Sequence, residues 1–165
     1  MANERVEIRP FRTDDLGALQ HIREMAFRPI FQSFRDTVGP TIARIAFAQA
    51  EKEQAQLLDE ICQPDSPQQV FVALRASRII GFVSLSLDHD QKIGEIGLNA
   101  VHPEFAGQGV GTQLYDFALC RMKSADMKVA VVGTGGDPGH AAARRAYAKA
   151  GFGPAIPSLW MYRSL

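Results

Sequence analysis

The chain has 165 residues, 46% hydrophobic and 22% charged, with 18 Lys plus Arg against 18 Asp plus Glu. This length and composition fit a single domain over residues 1–165 with its own core, and exclude a largely disordered chain. Zero formal net charge argues against bulk steering onto nucleic acid or a membrane surface, and no apolar run approaches the ~18 residues of a membrane span. The start, Met1 to Glu7, lacks the apolar stretch of a secretory leader, so a cytoplasmic location is expected. Cys62 and Cys120 are too few for a disulfide framework. His21, His89, His102 and His140 are scattered without zinc-ligand spacing, so no metal is expected. The charge is uneven: residues 121–165 carry 7 basic and 2 acidic side chains. A basic end of this kind suits a small anionic ligand or is simply a solvated face.

Along the chain, Val6 to Pro10 reads as a short strand ended by its proline. Thr13 is the expected N-cap of a first helix, with Asp14 and Asp15 favourable in its first turn and Leu16, Leu19, Ile22 and Ala26 on its apolar stripe. Gly39-Pro40-Thr41 opens a second helical region that reaches about Cys62, continuous or broken, with Ile42, Ile45 and Ala46 on its apolar face. Residues 63–69 form a proline-containing loop. The period then changes. Val70 to Leu74, Ile79 to Leu87 and Lys92 to Val101 read as three strands joined by short turns, an antiparallel meander. A glycine-rich segment leads into a helix carrying Leu114, Phe117, Ala118 and Met122. Lys128 to Val132 is a continuous apolar run, expected to be a strand buried on both faces. A loop and a helix over residues 140–150 follow, with Gly151 as its stop. Residues 155–163 are expected to form a last strand. The sum is a mixed α/β (α+β) layer.

Gly107, Gly109 and Gly111 lie between a strand and a helix. Glycine permits positive φ and close backbone approach, and the helix that follows offers free N–H groups at the positive end of its dipole. Such a loop binds a phosphate or pyrophosphate, or else is a tight turn without a ligand. A P-loop is excluded because no Gly-Lys occurs here. A dinucleotide fingerprint is excluded because its third glycine would fall on Thr112 or Leu114.

The segment Val101-His102-Pro103-Glu104-Phe105-Ala106-Gly107-Gln108-Gly109-Val110-Gly111-Thr112-Gln113-Leu114 resembles the acetyl-CoA motif of the GNAT superfamily, the Gcn5-related N-acetyltransferases. That motif runs strand, V-x-P, Arg/Gln-x-x-Gly-x-Gly/Ala, helix. A second block, His140 to Phe152, resembles the family's Asn-x-x-Ala-x-x-x-Tyr-x-x-x-Gly-Phe. The resemblance follows the whole chain in element order and is sharp across residues 79–152. It implies a GNAT fold: a mixed central sheet of six to seven strands flanked by about four helices, with strands splayed at the cofactor site. It implies acetyl-CoA as co-substrate, its pyrophosphate cradled by the loop backbone of Ala106, Gly107, Gln108, Gly109, Val110, Gly111 and Thr112. The pantetheine arm would pair with the backbone of Asn99, Ala100 and Val101, and meet His140 and Ala143. Two departures stand out. Ala106 replaces the usual Arg or Gln, for which Gln108 is a partial substitute, and His140 replaces the usual Asn. It either hydrogen-bonds the pantetheine arm or caps the helix.

Acetyl transfer to an amine needs the amine neutral, and a lysine-like amine with pKa ~10.4 is rarely so at pH 7. A positioned base is then worth about 10²–10⁴-fold. Glu95 lies mid-strand, six residues before Val101. That spacing resembles the histone-acetyltransferase branch, in which such a glutamate is the general base. Partial burial would raise its pKa to a useful range. A solvent-facing or salt-bridged carboxylate is the plainer alternative, and Asp88, His89 and Asp90 are acidic-turn alternatives. Tyr147 matches the family tyrosine that serves as the acid at the coenzyme A sulfur, and would equally suit a core position. A backbone N–H near Val101 is the candidate oxyanion donor. Arg144 and Arg145 either touch phosphate or are solvated. Phe27, Phe31 and Phe34, with Arg28 and Arg35, either shape the acceptor site or are core. Cys120 is expected on the buried side of its helix without a nucleophilic role. Trp160 and Tyr162 line the acceptor groove or pack at an interface. The partner is a small-molecule or protein amine acceptor, and the resemblance allows a homodimer. A non-catalytic acyl-CoA sensor and a ligand-free interaction domain are the rival readings.

Overall fold

In the computed structural model, which describes residues 6–165, apolar alternation in the middle of the chain builds the expected meander. Strands β1 (Glu7–Pro10), β2 (Gln69–Arg75), β3 (Arg78–Asp88) and β4 (Ile93–Val101) pair antiparallel in chain order, and β5 (Val129–Val132) joins β4 in parallel. Ala76 and Ser77 both have positive φ, +47° and +65°. Positive φ at both central residues is the mark of a type I′ hairpin turn, whose twist matches that of its strands. The parallel step from β4 to β5 is bridged by α3 (Val110–Ser124), and α4 (Ala141–Lys149) follows β5.

Helices cover both faces of the sheet, which is why β2 is buried without a break from Val70 to Leu74 and β3 from Ile80 to Leu85, Ser84 included. On one face α1 (Leu16–Ala46) and α2 (Ala50–Ile61) bring Leu19, Ile22, Leu58 and Ile61 against Val72, Leu74 and Phe82. On the other, α3 and α4 bring Leu114, Ala118, Met122 and Tyr147 against Phe71, Val83, Leu85 and Ile96. Leu19, Leu58, Val72 and Phe82 are wholly buried, and each such side chain contributes about 1.5–3 kcal/mol.

Several expectations are corrected. The first helix runs on well past the Leu16 to Ala26 stripe. It continues to a kink at Gly39 (φ +79°, ψ 166°), where a left-handed conformation breaks the hydrogen-bond ladder, and Pro40 then re-enters helix. Of the two forms expected for the second helical region the broken one holds, divided at Phe47 into the end of α1 and α2. Thr13 does not cap. The carboxylate of Asp15 accepts from the Arg12 backbone N–H at 2.8 Å and is gripped by Arg9 at 2.7 and 2.9 Å. The sheet has five strands among the described residues, not six or seven. Residues 155–163 form no strand, because nothing pairs with them. β5 is the sheet's last strand, so its outer edge is open and Val129 and Val131 are 55% and 43% exposed rather than buried. No described helix is long and apolar enough to cross a membrane.

Candidate active site

β4 changes character half-way along. Its first half, Ile93 to Ile96, is paired on both sides, with β3 and with Val129 to Val132 of β5. Its second half, Gly97 to Val101, keeps β3 and has no β5 partner, because β5 stops at Val132. The strands splay as expected, and the backbone of Gly97 to Val101 turns an unpaired edge to a cleft of about 720 Å³. At the same point the register with β3 shifts: Leu85 faces Ile96 but Val83 faces Asn99. This bulge gives β4 one extra residue and moves its side chains to the opposite faces. Ile96 stays in the α3/α4 core, Leu98 and Ala100 pack toward α1 and α2, and Asn99 returns to the α3/α4 side.

That return makes a polar network in the cleft wall. Asn99 Nδ2 donates to Tyr147 Oη at 3.0 Å and to the Gly97 carbonyl at 2.9 Å, while Tyr115 Oη donates to Asn99 Oδ1 at 2.9 Å. The two tyrosine rings lie 4.7 Å apart and Phe152 meets Tyr147 edge-on. Burial holds the Tyr115 hydroxyl well above the ordinary phenol range, reinforced by the adjacent Tyr147. Tyr115 therefore stays a neutral donor. The Tyr147 oxygen accepts from Asn99, which leaves its own proton free to point into the cleft.

The loop before α3 completes the opposite wall. The His102 N–H donates to the Ile80 carbonyl, and the His102 ring accepts from Glu104 N at 3.2 Å, turning the chain out of β4. Gly107 and Gly109 have φ of +73° and +81°, and a Cβ on either would meet nothing within 4 Å. Gly109 is the N-cap of α3, so the N–H groups of the first helical turn have no helical acceptor. Arg145 and Lys149 of α4 line the same cleft. Free N–H groups, a helix N-terminus and two cations together suit an anion.

A model of the acetyltransferase (GNAT) family matches residues 27–152. The chain belongs to the GNAT acetyltransferase family. A GNAT acetyltransferase of Brucella melitensis, solved with acetyl-CoA, shares its fold at 21% identity, with TM-score 0.61 over 94% of this chain and 93% of that one. A GNAT-family protein of Desulfovibrio desulfuricans gives TM-score 0.71 at 17% identity over 92% and 87%. The ribosomal-protein-S18-alanine N-acetyltransferase of Escherichia coli gives 0.65 at 19% over 92% and 80%. No curated protein sequence matches the chain.

Within this cleft the sequence-predicted residues divide. Glu95, Asn99, Ala100, Val101, Ala106, Gly107, Gly109, Gly111, Thr112, His140, Ala143 and Tyr147 line the cleft. Gln108 does not: its side chain accepts from Arg75 at 2.7 Å and donates to the Glu104 carbonyl at 2.9 Å, so it is no substitute for the family's Arg or Gln. Val110 has a buried side chain and offers only backbone. Glu95 is exposed, contrary to the expected burial, because β4 turns it outward between Gly94 and Ile96, which pack toward α3. No hydrogen bond joins it to Asn99 or Tyr147. His140 caps nothing. Its Nδ1 meets Asp137 Oδ1 at 2.5 Å and its ring stacks on Phe34 of α1. Asp137 does the capping, accepting from Gly139 N at 2.9 Å and from Ser33 Oγ at 3.2 Å. Burial pushes the Asp137 carboxyl up, but the His140 hydrogen bond and charge outweigh it and hold it below the usual range. Arg144 is occupied by the Gly135 and Asp137 carbonyls. Asp88 closes its own turn by accepting from Asp90 N and Gln91 N. Cys120 is exposed rather than buried. Of the early aromatics, Phe27 lines the cleft and Phe31 is core. Arg28 pairs with Glu24, and Arg35 with Glu51.

Sequence reasoning missed Tyr115 and Asp137. Tyr115 stands four residues after Gly111 and three before Ala118, a helical spacing that puts it on the buried face beside the glycine loop. Asp137 stands three residues before His140, the spacing of a reciprocal helix-start pair.

Proposed function

We propose that this chain is an N-acetyltransferase that moves the acetyl group of acetyl-CoA to a primary amine by direct attack, with Glu95 as base and Tyr147 as acid. The observation that carries the reading is the open second half of β4, which faces the glycine loop across a cleft where the Tyr147 proton is free. The residues fit the co-substrate. The backbone of Asn99, Ala100 and Val101 would hold an amide-bearing arm, and the N–H groups of Gly107 to Thr112 would hold a pyrophosphate, with Arg145 and Lys149 adding charge. Acetyl-CoA, when bound, supplies the activated thioester. Glu95 Oε takes the proton that the acceptor amine must lose. Tyr147 Oη holds a proton at the opposite wall, its direction set by Asn99. Both groups line the one cleft, Glu95 at its exposed side and Tyr147 in its buried wall.

The acceptor side favours an amine on an apolar body. Ala26, Phe27, Ile30 and Leu57 line the α1/α2 wall, and Glu95 is the one carboxylate among the described lining residues. A polycation would need more acidic partners than this.

The test is steady-state acetylation of an amine panel by Glu95→Gln and Tyr147→Phe. Glu95→Gln is expected to lower kcat by about 10²-fold and spare acetyl-CoA affinity. Unchanged turnover would remove Glu95 as the base. Acetyl-CoA binding without turnover on any amine would make the chain a sensor instead of an enzyme.

A further inference from the structure

The turn before α4 holds its histidine from several sides. Asp137 Oδ1 meets His140 Nδ1 at 2.5 Å. The other Asp137 oxygen accepts from Gly139 N at 2.9 Å and from Ser33 Oγ of α1 at 3.2 Å. Arg144 pins the turn through the Gly135 and Asp137 carbonyls, and the His140 ring stacks on Phe34 at 5.8 Å and 29°. An ionised carboxylate only accepts, so Nδ1 carries the proton of the neutral ring and Nε2 is bare. Nε2 makes no hydrogen bond among the described residues. The buried side-chain polar atoms without a partner lie elsewhere, on Gln68, Arg75 and Ser84. The Nε2 lone pair is therefore open to the cleft that His140 lines.

Its neighbours put it on the acceptor side. Ala26, Phe27 and Ile30 of α1 line the cleft, and Phe27, Ile30 and Phe34 share one face of α1 at helical spacing. His140 stacks on the last of these, and a Cβ on Gly139 would come within 3.1 Å of Ile30 Cα. Glu95, Tyr147, Arg145 and Lys149 share the cleft with it, while α1 presents the neutral Ser33 and Phe34.

We propose that His140 is a second base of the transfer, with Asp137 as its positioning residue: Nε2 accepts an N–H of the acceptor nitrogen and takes that proton as the new C–N bond forms. The inference rests on the acetyl-transfer reading above. An acceptor that arrives as an ammonium loses two protons, one before its lone pair can attack and one as that pair becomes the C–N bond. The C–S bond breaks with its electrons on sulfur, which takes the Tyr147 proton. Glu95 is neutral once it holds the first proton and is then no base for the second. His140 takes it. Glu95 and His140 each give a proton to water and Tyr147 regains one, so one proton is released for each acetyl group moved.

The first test needs no turnover. In nitrogen-15 NMR of the full chain labelled at histidine, His140→Asn identifies the His140 signals. At about pH 8 they are expected to show the proton on Nδ1 and none on Nε2; Asp137→Asn, whose amide donates to Nδ1, should move it to Nε2. Hexylamine, a primary amine on an apolar body, added with coenzyme A should shift Nε2 of the native chain. The second test is steady-state acetylation of hexylamine. His140→Asn keeps a hydrogen-bonding side chain that takes no proton, and should lower kcat by about 10²-fold with acetyl-CoA affinity within about threefold. Imidazole in the buffer should restore part of the kcat lost in His140→Ala. A native ring with its proton on Nε2, or native kcat in His140→Asn, would overturn the proposal. So would His140→Ala that imidazole does not rescue, which would leave the pair a structural tie between α1 and α4. A chain that binds acetyl-CoA yet neither acetylates hexylamine nor shifts Nε2 with it would overturn it too. Full turnover in Glu95→Gln beside the expected His140 results would remove Glu95 and keep His140. Absence of acetyl-CoA binding would remove the acetyl-transfer reading itself, and this inference with it.

Discussion

Two of the places where the sheet leaves backbone unpaired, the second half of β4 and the outer edge of β5, differ in their surroundings. Inside the fold, the second half of β4 parts from β5 because β5 is only four residues long. That gap is walled by α3 and α4, polar groups converge on it, and Asn99, Tyr115 and Tyr147 are hydrogen-bonded to one another beside it. At the rim, the outer edge of β5 has neither wall nor polar group, only Val129 and Val131 in water. An unpaired strand is the same defect in both. With a roof and a glycine loop opposite, the first is the place proposed above for an amide-bearing ligand. The second is a bare, apolar edge.

The sharpest way to break the inner half of this comparison is Gly109→Val. A β-branched residue at φ +81° costs about 1–2 kcal/mol of backbone strain, and the loop must also shift its N–H groups. Acetyl-CoA affinity should fall by about 10²-fold or more, measured by calorimetry. An unchanged affinity would show that the cradle does not hold the ligand.

Next is Tyr147→Phe, expected to lower kcat by about 10²-fold with acetyl-CoA affinity within about threefold. Equal losses in both would make the tyrosine a binding group and not an acid.

A smaller effect follows from Asn99→Leu. It strips the Tyr115 hydroxyl of its acceptor in a buried site, at a cost of about 1–3 kcal/mol. The melting temperature should fall by several degrees, and the Tyr147→Phe/Asn99→Leu double variant should lose no more turnover than Tyr147→Phe alone.

The smallest effect lies away from both edges. Arg9 and the Arg12 N–H hold the Asp15 carboxyl below its ordinary range, with burial opposing. A depressed pKa stabilises the fold above the unfolded value of about 3.9 and is lost as pH falls through the folded value. Asp15→Asn should therefore cost about 1 kcal/mol or less at neutral pH and flatten the drop in stability below about pH 4. A thermal-melt series from pH 2.5 to 7 reads this directly.

The legible parts of the molecule were the local ones. The glycine loop, the meander and Tyr147 each follow from a few consecutive residues, and each stands where the sequence placed it. What escaped was set by pairing over distance. The bulge opposite Ser84 reverses the faces of β4, so Asn99 reaches two tyrosines while Glu95 turns to the solvent, and no spacing along β4 itself reveals this. Gln108 was expected to face the ligand, but Arg75, 33 residues earlier, draws it away. The arm after Gly151 has the composition of a strand, but among the described residues no edge pairs with it.

The most direct test of the central claim is calorimetric titration of the native chain with acetyl-CoA, repeated with Gly109→Val. The expected result is one site per chain at micromolar affinity, lost in the variant. No heat of binding to the native chain at millimolar acetyl-CoA would contradict the account, for the open half of β4 and its glycine loop would then hold no ligand of this kind.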